Sequence, residues 1–176
     1  MSEMTKQADL PRLNRELNRT ILSHDDIGEA RQYLQAFQAL DLATSDQVVL
    51  RGLLTAAVVA YGRPFSDNRP HEQANPRPPL KLKHLFSPAQ RKLHDKLINL
   101  RNEVVAHSDY ERRPVTRVSA GLPGFSYWGA NFDLLQQGLP IGDWLEMCNR
   151  LIAQCFTGAL GANRDMTLIG DPSMKA

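Results

Sequence analysis

The sequence predicts a mainly α-helical fold, a single-domain bundle of about five helices with a small β-hairpin inserted after the fourth. Three observations carry that reading. Apolar residues recur at helical spacing through most of the 176 residues. Helix breakers and β-favouring residues gather in two stretches, 63–86 and 112–133, and leave the rest free to coil. Hydrophobic content of 42% beside 23% charged residues is that of a folded globular chain, and a chain this long buries roughly 70% of its unfolded surface without disulfide staples.

The elements follow in order. Leu10, Leu13, Leu17, Ile21 and Leu22 define a first helix, with Pro11 tolerable in its first turn. Asp25 or Asp26 can cap a second, running to about Leu42 through Ile27, Ala30, Leu34, Phe37 and Leu40. Ser45 or Asp46 can start a third, apolar nearly all round from Val48 to Tyr61 except for Arg51, which marks it as central. The segment 63–86 holds Pro64, Pro70, Pro76, Pro78 and Pro79 and reads as a long loop, because proline lacks the amide donor and restricts the residue before it. Ser87 and Pro88 make a strong start for a fourth helix reaching about His107. RRPVTRVSAG and FSYWGANFDLL flank a Gly121 to Gly124 turn and read as a hairpin within 112–133. A last helix runs from about Ile141 to Leu160, and 162–176 reads as a loose tail. The whole of 1–176 is one domain.

Net charge is +2, but the segment from Arg63 to Arg117 holds 12 Lys and Arg against 6 Asp and Glu, while the remainder is net acidic. A basic middle can meet phosphates, and it can equally be a solvated face. Cys148 and Cys155 sit seven apart on one helix, too far for a mutual disulfide, and read as reduced core residues. The N-terminus lacks the apolar segment of a secretory signal, and the longest apolar stretch, Leu53 to Tyr61, is too short to span a bilayer. The expectation is a cytoplasmic protein with no membrane contact. The five histidines show no metal-ligand spacing and no glycine-rich phosphate loop is present, so neither a metal nor another cofactor is expected.

The informative stretch is NLRNEVVAHSD, from Asn99 to Asp109. Leu93, Leu97, Leu100 and Val104 form a packing seam whose next step is His107, while His94, Ile98, Arg101 and Val105 form a second stripe beside it. On an ideal helix Arg101 and His107 lie about 120° apart, so they are not stacked. In the plain structural reading Arg101 pairs with a carboxylate, His107 meets the negative end of the helix dipole, and Ser108 and Asp109 begin the exit turn. In the chemical reading histidine exchanges a proton near neutral pH, arginine grips a phosphate with two bonds, and asparagine orients either one.

The longer string LHDKLINLRNEVVAHSD resembles the HEPN superfamily (higher eukaryotes and prokaryotes nucleotide-binding domain), whose motif is an arginine, commonly followed by a polar residue such as asparagine, then four to six positions and a histidine. Here that is Arg101, Asn102 and His107, and the RN and AHSD portions are similar to abortive-infection-type members. The resemblance is sharp over Leu93 to Asp109, and the hairpin after the motif is not part of the minimal family bundle. It implies a helical bundle that dimerises so that two motifs face one cleft, and a metal-independent endoribonuclease in defence, toxin–antitoxin or stress roles. His107 would then exchange protons, Arg101 steady the phosphate and Asn102 orient one of them. The competing class is a non-catalytic module of the same family binding RNA, nucleotide or a protein partner such as an antitoxin.

Arg63, at the end of the apolar helix, can reach the same cleft or stay on the surface. His94, facing the Arg101 stripe, can contribute to substrate binding, though partial burial as a structural histidine fits its position better. Arg112 and Arg113, with Lys81, Lys83 and Arg117, can hold RNA backbone by charge or serve solubility. Tyr127 and Trp128 can stack on a base or cover one face of the hairpin.

Overall fold

Residues that spell two helices in the sequence fold as one. The computed structural model describes residues 3–66, 80–82, 85–105, 115–119, 125–129 and 133–169. Within them α1 runs unbroken from Glu3 to Gln38, about 54 Å at 1.5 Å per residue. Instead of about five helices there are therefore four longer α-helices among the described residues. The physical reason is a continuous seam. Leu13, Thr20, Ile27 and Leu34 recur every seventh residue, Ser23, Ala30 and Phe37 recur three positions after them, and all seven are buried. The carboxylates read as helix caps are used otherwise: Asp25 meets the His24 ring at 3.2 Å, and Asp26 pairs with Arg63 at 3.3 Å. Pro11 lies inside this helix rather than in its first turn.

The helix ends at Gln38, short of Leu42, and Asp41 folds the connection by accepting from the Ala43 amide and the Thr44 hydroxyl. Asp46 then caps α2 (Gln47–Gly62), its side chain accepting from the Val48 amide at 2.7 Å. The first residues of the proline-rich segment are not loop: Arg63–Phe65 continues α2 as a 3-10 turn, with Pro64 buried. The Pro64 carbonyl accepts from the Leu80 amide at 2.8 Å, which closes the two ends of that segment on each other. Gln47–Phe65 is also long and apolar enough by composition to cross a membrane, longer than the Leu53–Tyr61 stretch singled out in the sequence. Its Leu50, Leu54, Ala57, Val58 and Tyr61 are buried by the other helices, as in the core helix of a bundle.

Helix α3 (Pro88–Asn99) opens with a reciprocal capping box, Ser87 accepting from the Gln90 amide and Gln90 accepting from the Ser87 amide. It does not continue as α-helix to His107. From Leu100 to Val105 the backbone widens into a π-helical turn, and His107 lies outside the described residues. Strands β1 (Val115–Ser119) and β2 (Phe125–Gly129) pair antiparallel, with Arg117 opposite Tyr127 and Thr116 opposite Trp128. A short 3-10 turn, Leu134–Gln137, is capped by Asp133, whose carboxylate also takes Arg51 at 2.9 Å. That pairing explains the one charge on the apolar central helix.

Helix α4 spans Ile141–Ile169 and runs well past Leu160, so residues 162–169 are helix rather than loose tail. Ala162 and Met166 are buried, which supplies the reason. Contacts of Arg31 with Asn149 and of Thr20 with Gly158 show that α1 and α4 lie antiparallel along their length. The same register brings Met166 level with Leu13. The core sits where α2 meets both: Trp144 packs edge-on to Tyr61 at 5.9 Å, surrounded by Ile27, Leu54, Leu97 and Met147.

Candidate functional site

Arg101 stands at the junction of α2 and the π-helical turn. Its position depends on Gly62, the last residue of α2. A Cβ added at Gly62 would lie 2.8 Å from Arg101 Cγ and 3.2 Å from Arg101 Cβ, closer than carbon atoms pack. The missing side chain lets the arginine stem lie directly on the α2 backbone and leaves it half-buried. Nη1 of Arg101 then donates to Asn102 Oδ1 at 2.9 Å. Among the described residues the guanidinium is therefore oriented by an uncharged amide, and the carboxylate partner of the plain structural reading is not found there.

The π turn changes how the motif is laid out. The expected 120° between Arg101 and His107 assumed an unbroken α-helix, which stops at Asn99. A turn with i→i+5 bonds rotates every later residue relative to α-helical registry, and such turns recur at functional sites. His107, Arg112 and Arg113 lie outside the described residues, as does Lys83.

His94 is in the core. It is 7% exposed, its Nδ1 is 2.9 Å from the Tyr61 hydroxyl, and its ring stands nearly perpendicular to Phe65 with centroids 4.7 Å apart. Burial lowers its pKa from the ordinary 6.5 to about 4, against the opposing pull of Asp95. The imidazole is neutral at pH 7 and held by Tyr61, whose own hydroxyl burial holds protonated. These are the properties of a packing histidine. A shallow recess of about 460 Å³ lies beside it, bordered by Phe65, Leu82, Arg91, Asp95 and Asn99.

Arg63 is turned toward α1. It pairs with both Asp26 and Glu29, and Glu29 also accepts from the Tyr33 hydroxyl at 2.7 Å. The Tyr33 bond, together with Arg63, holds the Glu29 carboxyl below its usual pKa. Two carboxylates thus occupy the charge that the sequence offered to a substrate. Cys148 and Cys155 are free and buried, and burial raises the Cys148 thiol to about 12, so neither is a nucleophile at neutral pH. Among the described residues no group of three or more potential metal ligands gathers.

The structure thus brings together Arg101 and Asn102 of the motif, adds Gly62, and gives Arg63 the carboxylates of Asp26 and Glu29, and His94 the Tyr61 hydroxyl, as partners. That glycine carried a readable signal, since it ends an apolar helix where only a residue without a side chain admits a close neighbour. Comparison with protein-family models, with curated proteins and with solved structures finds no match to this chain.

Proposed function

We propose that this chain is a metal-independent endoribonuclease of the HEPN type, with Arg101, Asn102 and His107 as its reacting group. The observation that carries the reading is Arg101 itself: a half-buried arginine, seated on Gly62 and aimed by an amide, with no carboxylate paired to it among the described residues. A guanidinium so held keeps its charge for an external anion and gives up little freedom on binding it.

In this scheme Arg101 grips the scissile phosphate, and its fixed charge gains strength as negative charge builds on the phosphoryl oxygens. His107 takes the proton of the adjacent ribose 2′-hydroxyl, or hands one to the leaving 5′-oxygen. Attack of O2′ on phosphorus breaks the P–O5′ bond and leaves a 2′,3′-cyclic phosphate and a 5′-hydroxyl. No water and no metal enter that step. The active form is a homodimer with two motifs at one cleft, working in the cytoplasm in defence, toxin–antitoxin or stress responses, where an antitoxin or similar protein would restrain it.

End-group analysis tests the chemistry. Incubation with RNA in the presence of a chelator should yield 2′,3′-cyclic phosphate ends, and RNA lacking the 2′-hydroxyl at the cut position should survive. Binding without cleavage would turn the reading to the non-catalytic module of the same family.

A further inference from the structure

A packing histidine has a second ring nitrogen, and that of His94 is not used by the core. Tyr61 is fully buried, and among the described residues the one partner of its hydroxyl is His94 Nδ1 at 2.9 Å. The hydroxyl proton therefore goes to Nδ1, and the neutral imidazole carries its own proton on Nε2. Nε2 has no partner among the described residues, and unlike the indole nitrogen of Trp144 it is not sealed from solvent. His94 lines the recess of about 460 Å³ beside α3, so a side chain more than nine-tenths buried offers a held N–H donor to that recess.

Asp95, the next residue of α3, lines the same recess and makes no hydrogen bond or ion pair among the described residues. Arg91, one turn earlier on the same rim, does not pair with it. Phe65, Leu82 and Ile98 supply apolar walls. An apolar recess with a neutral donor and a carboxylate at its edge matches an unpaired nucleobase, which has flat apolar faces and a polar rim. Every base sets an acceptor beside a donor, but guanine alone adds a second donor next to the first: O6 accepts, while N1–H and N2–H donate side by side. A carboxylate has two oxygens and takes both. The recess also adjoins the motif. Phe65 lies three residues beyond Gly62, on which Arg101 rests, and Asn99 three before Asn102, so each wall is about one helical turn, roughly 5 Å, from the motif.

We infer that this recess is a guanine subsite for an RNA strand, with His94 Nε2 donating to O6 and Asp95 accepting from N1 and N2. That the guanine belongs to RNA rests on the proposed function; the subsite itself is formed by residues separate from Arg101, Asn102 and His107. It sets which base lies beside the phosphate at Arg101 and takes no part in the bond-breaking step.

The test is fluorescence anisotropy of labelled oligouridylates carrying one guanosine, inosine or adenosine, titrated with the full chain carrying His107→Ala so that the strand survives. The guanosine strand should bind at least about fivefold more tightly than the adenosine strand. Inosine lacks the N2 amine and should fall between them, a result that needs no variant of the recess. Asp95→Asn, at an exposed position, should bring guanosine down to the level of adenosine. Lys92→Gln, also exposed on α3 and outside the recess, should leave the ratio between the strands unchanged. Equal binding of the three strands overturns the proposal, as does a guanosine preference that survives Asp95→Asn. Free guanosine monophosphate that binds as tightly as the guanosine strand overturns the RNA source of the base. The nuclease reading fails separately: an Asp95-dependent guanosine preference without any cleavage by the intact chain leaves the subsite standing. Cleavage that needs Arg101 but ignores the neighbouring base removes the subsite alone.

Discussion

Gly62 and Arg101 share one space: the arginine stem occupies the volume that a side chain at position 62 would fill, with only 2.8 Å between the would-be Cβ and Arg101 Cγ. The α2 terminus and the motif are thus mechanically one unit. Gly62→Ala should destabilise the protein by about 1–3 kcal/mol through overpacking, offset by up to about 1 kcal/mol of helix propensity. With Arg101→Ala alongside, which removes Cγ but keeps the Cβ at 3.2 Å, the same alanine should cost distinctly less. Urea denaturation of the four proteins of that cycle measures the coupling, and additive effects would show that the two residues do not compete.

Acid stability follows from His94. Its folded pKa of about 4 lies below the ordinary 6.5, so the unfolded chain binds the extra proton first. Stability should be complete above about pH 6.5 and fall by a few kcal/mol as pH drops toward 4, below which the His94 contribution no longer changes. Denaturation across that range should show a slope of about one proton, and His94→Leu should flatten it. Tyr61→Phe should cost about 1–3 kcal/mol by leaving the buried imidazole nitrogen unpaired.

The continuity of α1 is open to a gain-of-stability test. Gly28 lies in mid-helix with open space where a Cβ would go. Gly28→Ala should therefore raise stability by about 0.5–1 kcal/mol. Asp25→Pro should cost about 3 kcal/mol or more, because it removes a bond from the helix interior. A chain broken at that point would instead tolerate the proline.

Arg63 should matter little to RNA. Its side chain is 43% exposed and already paired with Asp26 and Glu29, so Arg63→Ala should lower stability by no more than about 1 kcal/mol, less in high salt. RNA affinity should change far less than with Arg101→Ala, as competition binding can read.

Helical class, the Ser87 cap, a cap at Ser45 or Asp46 (Asp46 is the one used) and the start of α4 at Ile141 were legible because each rests on local chemistry. The break expected before Asp25 was not real: the heptad seam from Leu13 to Phe37 passes straight through and was the better signal. The end of α4 was missed because Ala162 and Met166 are held by α1 rather than by their own sequence neighbours. In the motif, residue types were readable but the π turn was not, since LRNEVV carries neither proline nor glycine to mark a departure from α-helix.

Whether Arg101 and His107 cut RNA is read most plainly from cleavage of a mixed set of labelled RNAs with chelator present, by the intact chain and by folded Arg101→Ala and His107→Ala variants. The intact chain should cleave without metal, and each variant should lose activity by at least about a hundredfold. Cleavage that persists in both variants, or an intact chain that leaves every RNA whole, contradicts the nuclease assignment.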